Sequence, residues 1–160
     1  MESRKNIIGQ DLFFSLLGQR IKERRIALGW SNADIAYRLG ITKKTEAAWE
    51  SGTNKIPLLR FLEICECFQV SPSSLLGFDS GAAFTEPEYK TVGGRIGAAR
   101  ELAGISAKDL SERIGKPVHA INLWERELSI PKVYDIYLIA MELDVSPDYL
   151  LQNATVVQGV

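Results

Sequence analysis

Apolar residues recur at helical spacing along the chain and are separated by short polar stretches that contain glycine or serine. Between residues 11 and 28 the spacing is close to 3.6, which predicts a helix that stops at Gly29. Serine and threonine caps with closing glycines predict further helices over 31–39, 43–50 and 58–68, and a last turn begins at Ser71-Pro72. No strand pattern stands out, so the predicted fold class is all-α.

The same pattern occurs a second time, 75 residues further along the chain. Arg20-Ile21 aligns with Arg95-Ile96, and Trp49-Glu50 aligns with Trp124-Glu125. The second copy predicts helices over 91–103, 107–114, 118–126 and 132–143, followed by another Ser-Pro turn. A period of this length is too long for a solenoid unit, so it indicates two copies of one small domain.

The repeat therefore predicts two domains of about five helices each, over 10–77 and 91–152. Glycine, serine and proline in 78–90 predict a linker, and 153–160 forms a C-terminal tail. The first helix and the tail segment ATVVQGV are more apolar than a small domain needs. Two interpretations stay open for them, packing within the chain or contacts between subunits.

Composition narrows the class of protein. With 46% hydrophobic and 24% charged residues, the 160-residue chain belongs among folded globular proteins. No apolar run approaches the ~20 residues of a membrane helix, and the start MESRKNIIGQ lacks a signal-peptide core, so we expect a cytoplasmic protein. Cys65 and Cys67 point in different directions on a helix, and His119 is the only histidine. We therefore expect no metal, no cofactor, no small-molecule substrate and no enzymatic activity.

Charge is distributed unevenly between the two halves. The net charge of −1 alone argues against a nucleic-acid binder. Residues 1–77, however, contain 11 Lys and Arg against 8 Asp and Glu, whereas residues 78–160 contain 8 against 12. This asymmetry indicates that the halves have different partners.

Two short helices joined by a tight, glycine-containing turn form a helix-turn-helix arrangement. Residues 17–76 and 92–151 each resemble the Cro/CI-type (lambda-repressor-like) domain of phage repressors and bacterial transcriptional regulators. The resemblance rests on LGQRIKERR with VGGRIGAAR, SNADIAYRLGITKKTEAAWESG with SAKDLSERIGKPVHAINLWERE, and VSPSSLL with VSPDYLL. It implies a sequence-specific transcription regulator, namely a repressor associated with the nucleoid. Such a regulator binds a double-stranded DNA operator as a homodimer. A protein antagonist is a candidate for its control.

The resemblance implies that the second short helix of the first domain enters the major groove. Lys43 and Lys44, at its N-terminus, are the candidates for contacts with base edges or phosphates, although an ordinary solvated face would also carry lysines. The other DNA-binding candidates in this domain are Asn32, Thr42, Ala47, Ala48, Ser51, Thr53, Asn54 and Lys55.

Two ion pairs beneath the recognition helices are also implied by the resemblance. They join Arg25 to Glu50 in the first copy and Arg100 to Glu125 in the second. Trp49 and Trp124 are expected in the cores.

Glu46 is an exception to the family pattern, because the family has Ile or Val at this position and the second copy has Ile121. Three interpretations are open. The side chain tilts outward and pairs with Lys43, it pairs with a cation beneath the helix, or it accepts a hydrogen bond from cytosine N4.

The second copy departs further from the family. Pro117 replaces the Ser or Thr helix cap, Glu127 replaces the closing glycine, and Lys116 replaces an apolar residue. Ala107 replaces the phosphate-contacting amide that the family typically has at the start of the preceding helix, where Asn32 stands in the first copy. Its exposed face offers a second candidate DNA-binding set, Val118, His119, Asn122, Leu123 and Arg126. This domain is either a second DNA reader or an assembly module. The alternative for the whole chain is a protein-interaction adaptor or anti-repressor on the same fold.

Overall fold

The computed structural model describes residues 6–78 and 91–152, which form helices and no strands. These residues divide into two compact units, a first unit over 8–78 and a second unit that contains 91–152 together with 6–7. The predicted all-α class is confirmed. Apart from Phe78, the predicted linker 78–90 lies outside the described residues, and so does the predicted tail 153–160.

Each unit contains five helices within the described residues. The first unit has α1 (Gln10–Ala27), α2 (Asn32–Leu39), α3 (Lys43–Ser51), α4 (Leu58–Phe68) and α5 (Pro72–Leu75). The second unit has α6 (Val92–Leu102), α7 (Ala107–Ile114), α8 (Val118–Glu125), α9 (Val133–Leu143) and α10 (Pro147–Leu151). The predicted boundaries agree with these bounds to within one or two residues.

Local capping explains why the helices are short. Ser31 and Asp34 form a capping box at the start of α2, and Gly40 ends that helix at φ 66°. The Thr42 side chain then accepts from the backbone N–H of Thr45 and starts α3. The tight turn between these two caps joins α2 to α3 in a helix-turn-helix.

The core of the first unit lies where α1, α2, α3 and α4 meet. Its buried apolar side chains include Phe13, Phe14, Leu17, Ile21, Ile35, Leu39, Trp49, Phe61, Ile64, Phe68 and Leu75. The apolar start of α1 is thus largely buried within the chain, with Leu12 exposed. Ile41, which lies in the turn between α2 and α3, is only half-buried.

The second unit repeats this core with Leu110, Ile114, Ile121, Trp124, Ile136, Ile139, Leu143 and Leu150. Lys116 departs from the apolar pattern. Its Nζ atom lies 3.1 Å from the Oδ1 atom of Asp135, which is buried at the start of α9, so the lysine has an ion-pair partner there. Asp135 aligns with Arg60 of the first unit, and Lys116 aligns with Ile41. The acid and the lysine are therefore both specific to the second copy.

An arginine joins the first and last helices of each unit. Arg20 donates to the Leu75 carbonyl oxygen at 3.4 Å, and the fully buried Arg95 donates to the Leu150 carbonyl oxygen at 3.2 Å. The repeat therefore extends to individual hydrogen bonds.

Candidate nucleic-acid interface

The exposed side of α3 carries the residues expected to contact DNA. Thr42, Lys43, Lys44 and Ala47 are exposed, and Ala48 is half-buried. Neither lysine forms an ion pair with another described residue. The two glutamates of the helix, Glu46 and Glu50, are turned inward, so the outer side of α3 is cationic.

The turn after α3 extends this surface. Gly52 adopts φ 76°, a left-handed conformation that suits glycine, and the Ser51 and Thr53 hydroxyls lie 2.7 Å apart. The backbone N–H groups of Thr53 and Asn54 donate to the Ala48 carbonyl oxygen, at 3.0 and 3.3 Å. These two N–H groups are therefore used within the protein, and the turn offers its side chains, including exposed Lys55.

Both predicted ion pairs are present beneath the helix-turn-helix. Arg25 donates through Nε and a terminal nitrogen to the two Glu50 carboxylate oxygens, at 2.7 and 3.0 Å, and its other terminal nitrogen donates to the Trp30 carbonyl oxygen at 2.8 Å. Burial raises the pKa of Glu50, but the hydrogen bonds with Arg25 and Glu46 and the positive charges of Arg25 and Lys22 together outweigh it, so this pKa lies below its ordinary value. The pair ties α3 to α1 and to the chain entering α2.

The second unit contains the same arrangement. Arg100 donates to both oxygens of Glu125, at 2.6 and 3.1 Å, and to the Ile105 carbonyl oxygen at 3.0 Å. Hydrogen bonding to Glu125 raises the pKa of Arg100. This shared element holds α3 and α8 in place, irrespective of what their outer faces contact.

Glu46 is buried, with 1% of its surface exposed, and its Oε2 atom accepts a hydrogen bond from the Asn32 side-chain amide. The outward interpretation, with Lys43 as partner, is therefore wrong. So is the cytosine interpretation, because a buried carboxyl cannot reach a base. The interpretation of a cation beneath the helix is closest, since Arg25 attracts Glu46, but the direct partner is an amide.

Glu46 and Glu50 share one guanidinium, which leaves excess negative charge in a buried place. Burial, and next the hydrogen bond with Glu50, raise the pKa of Glu46 to about 7. Within residues 6–78 and 91–152, no hydrogen-bond donor meets its buried Oε1 atom. A proton on Glu46 satisfies this oxygen and lets the carboxyl donate to Glu50.

Asn32, at the first position of α2, is half-buried and uses one amide N–H for Glu46. A side-chain amide has two N–H donors and a carbonyl oxygen. Its expected contact with a DNA phosphate stays a prediction, and one that the bond to Glu46 permits.

The corresponding face of the second unit is apolar rather than cationic. Val118, Leu128 and Ile130 are 41%, 64% and 63% exposed, and they align with Lys43, Thr53 and Lys55 of the first unit. Of the second candidate DNA-binding set, Val118, His119, Asn122 and Arg126 are exposed, and Leu123 is half-buried. No cation replaces the two lysines of α3 on α8, because Val118 and His119 stand at their positions.

Sequence reasoning missed two features of these surfaces. One is the hydrogen bond between Asn32 and Glu46, which was visible as a paired change to Ala107 and Ile121 at the aligned positions. The other is the exposed pair Leu128 and Ile130, which the same alignment places opposite polar residues.

The chain matches the family described as "Helix-turn-helix" twice, over residues 21–75 and 96–150, and these matches cover more than half of it. It therefore belongs to the Cro/CI-type helix-turn-helix family, whose fold is that of DNA-binding transcription regulators. Comparisons with curated proteins and with solved structures gave no match. Among the described helices, none combines the length and apolar character needed to cross a membrane.

Proposed function

We propose that this protein is a sequence-specific double-stranded DNA-binding transcription regulator, a repressor that acts on nucleoid DNA in the cytoplasm. The first unit places α3 in the major groove, with Lys43 and Lys44 at base edges or phosphates. Thr42, Asn32 and the turn after α3 hold the phosphates on either side.

The observation that carries this proposal is the charge distribution of α3. The helix has two lysines and two glutamates, yet both carboxyl groups lie inside and both ammonium groups lie outside. A cationic helix face without compensating carboxylates suits a polyanionic duplex.

Binding selection from genomic fragments tests the proposal. The full chain is expected to recover duplexes that share a sequence motif. Lys43→Glu with Lys44→Glu is expected to weaken binding to a recovered duplex roughly a hundredfold, because two contacts are replaced by repulsion. A reporter gene placed behind that duplex then measures the sign of regulation.

A matched control reverses two lysines of the second unit, Lys108 and Lys132, which are both exposed. This variant has the same net charge as the first, so it isolates position from overall charge. Equal binding by the α3 variant and the wild type would exclude this proposal and leave the adaptor or anti-repressor function.

For the second unit we propose an assembly role, namely formation of a homodimer through the apolar face of Val118, Leu128 and Ile130. Arg126 and Glu127 lie exposed beside this face and supply both signs of charge. In a two-fold symmetric pairing of identical faces, the arginine of one protomer can lie opposite the glutamate of its partner. A dimer would present two copies of α3 to a pseudo-palindromic operator.

A further inference from the structure

Two positions of the helix-turn-helix change together between the units. The first unit has Asn32 at the start of α2 and Glu46 inside α3, whereas the second unit has Ala107 and Ile121 at the aligned positions. The arginine–glutamate ion pair, by contrast, is present in both units, as Arg25 with Glu50 and as Arg100 with Glu125. A polar, hydrogen-bonded pair therefore stands in one unit where an apolar pair stands in the other.

The second unit indicates that the fold does not need the carboxyl group. Ile121 is fully buried at the position of Glu46 and supplies the packing that holds α8 onto its unit. A carboxyl at such a position loses its hydration and gains one amide hydrogen bond in return. Since an isoleucine suffices for packing, the carboxyl is retained for another purpose.

That purpose is indicated by the partner of Glu46. A free asparagine side chain rotates about two torsions and can exchange its oxygen and nitrogen. Because a buried acceptor holds one amide N–H, Asn32 has one rotamer and one orientation, while its half-buried side chain keeps a second N–H at the start of α2. A donor fixed before binding loses less entropy when it meets a phosphate.

We propose that Glu46 is a positioning residue for DNA binding, whose buried carboxyl holds the Asn32 amide in the orientation that donates to a backbone phosphate. The inference rests on the proposed function of the first unit. It predicts that Glu46 acts on DNA through Asn32, without contacting DNA itself.

The surroundings of Glu46 give the proposal a signature in pH. The charged and polar groups facing it are Arg25 from α1, Asn32 from α2 and Glu50 from α3, and Lys22 of α1 faces Glu50. A nearby polyanion favours the neutral form of a buried acid. DNA binding therefore takes up a proton at Glu46, whose pKa in the free protein is about 7, and affinity increases as pH falls from 8 to 6.

The test compares two neutral replacements in the full chain, titrated against a duplex recovered by the wild type. Glu46→Gln keeps an oxygen that accepts from Asn32, whereas Glu46→Ile copies the second unit and removes it. At pH 8 we expect Glu46→Ile to bind about tenfold more weakly than Glu46→Gln, the loss of one hydrogen bond. In the Asn32→Ala background this difference should vanish, because no amide remains to be held.

Two further readouts separate positioning from loss of structure. Melting curves should show Glu46→Ile to be as stable as the wild type. The pH dependence of binding should disappear in Glu46→Gln and persist in Glu66→Gln, which neutralises an exposed acid on α4. Both variants, Glu46→Gln and Glu66→Gln, also carry His119→Gln, so that the only histidine of the chain is absent from the comparison.

Equal binding by the Gln and Ile variants, or a difference that survives in the Asn32→Ala background, would overturn the inference. The Lys43→Glu with Lys44→Glu variant is titrated in parallel. If this variant loses binding while Glu46→Gln and Glu46→Ile bind the duplex equally well, only the role of Glu46 fails. If it binds like the wild type, the proposed function fails and the positioning role with it.

Discussion

Two carboxyl groups on the inner face of α3 determine the charge of that helix. Glu50 is neutralised by Arg25, and Glu46 keeps a proton more readily than an exposed glutamate because it is buried beside a second carboxyl. The outer face is left to Lys43 and Lys44. At the scale of single residues, the placement of acids thus decides the sign of the surface, and it also makes stability depend on pH.

The pH dependence has a definite sign. In the unfolded chain Glu46 titrates near its ordinary pKa of 4.5, and in the folded chain near 7. Between these values the folded state binds more protons, so the stability that Glu46 contributes is present below pH 4.5 and is lost as pH rises through 7. Asn32→Ala with Glu46→Ile removes this dependence. We expect the double variant to exceed the wild type by about 1–2 kcal/mol at pH 8, and by less at pH 5.

Urea denaturation followed through NMR signals of α3 measures this difference at both pH values. Signals of α8 provide an internal control, because the second unit carries neither substitution and should unfold as in the wild type. A constant difference between variant and wild type from pH 5 to pH 8 would show that Glu46 does not titrate in this interval.

At the scale of elements, each unit depends on a close approach between its first helix and the end of the second helix of its helix-turn-helix. Gly18 of α1 faces the backbone carbonyl oxygens of Trp49 and Glu50, and Gly93 of α6 faces that of Trp124. A Cβ atom at either glycine would overlap a carbonyl oxygen, which is backbone and cannot rotate away. These glycines set the depth at which α3 and α8 sit.

We therefore expect Gly93→Ala to lower the free energy of unfolding of the second unit by about 2–3 kcal/mol, since the overlap exceeds the gain in helix propensity. Gly97→Ala is the matched control on the same helix. Its Cβ would meet the Glu125 side chain at 3.6 Å, an ordinary contact, so the variant should equal or exceed the wild type in stability. Thermal denaturation of both variants checks this, and equal melting curves would refute the role of the close approach.

The elements were predictable from sequence because their ends are local. The helix caps are formed by Ser31 with Asp34, by Gly40 and by Thr42, through hydrogen bonds to neighbouring residues. These caps define the ends of α2 and the start of α3 without any tertiary information. The partner of Glu46 was not predictable from periodicity, because Asn32 lies on another helix and the bond depends on how α2 crosses α3. Comparison of the two copies carried that information, as Ala107 and Ile121 replace the pair together.

At the scale of the whole molecule, the two units share one scaffold and differ in their outer faces. The ion pairs, the capping boxes and the arginine bonds to the last helix occur in both units. Val118, Leu128 and Ile130 stand at the positions that correspond to Lys43, Thr53 and Lys55. Exposed apolar side chains on a helix-turn-helix face favour a protein partner over a duplex.

If that partner is a second copy of the chain, restoring the polar residues of the first unit should abolish the dimer. Leu128→Thr with Ile130→Lys makes this exchange at exposed positions, so the fold should be retained. We expect the wild type to sediment as a dimer and the variant as a monomer. Binding of the variant to a duplex with two half-sites should weaken roughly a hundredfold, because the second α3 loses its effective concentration.

Leu102→Lys provides the control, since Leu102 is 93% exposed on α6 and outside the proposed interface. It should leave sedimentation and binding unchanged. On a duplex with a single half-site the wild type and the Leu128→Thr with Ile130→Lys variant should bind alike, because dimerisation gives no advantage there. A variant that still sediments as a dimer would assign self-association to another surface. A wild type that sediments as a monomer while binding the two-site duplex would show that the second unit does not act through a dimer.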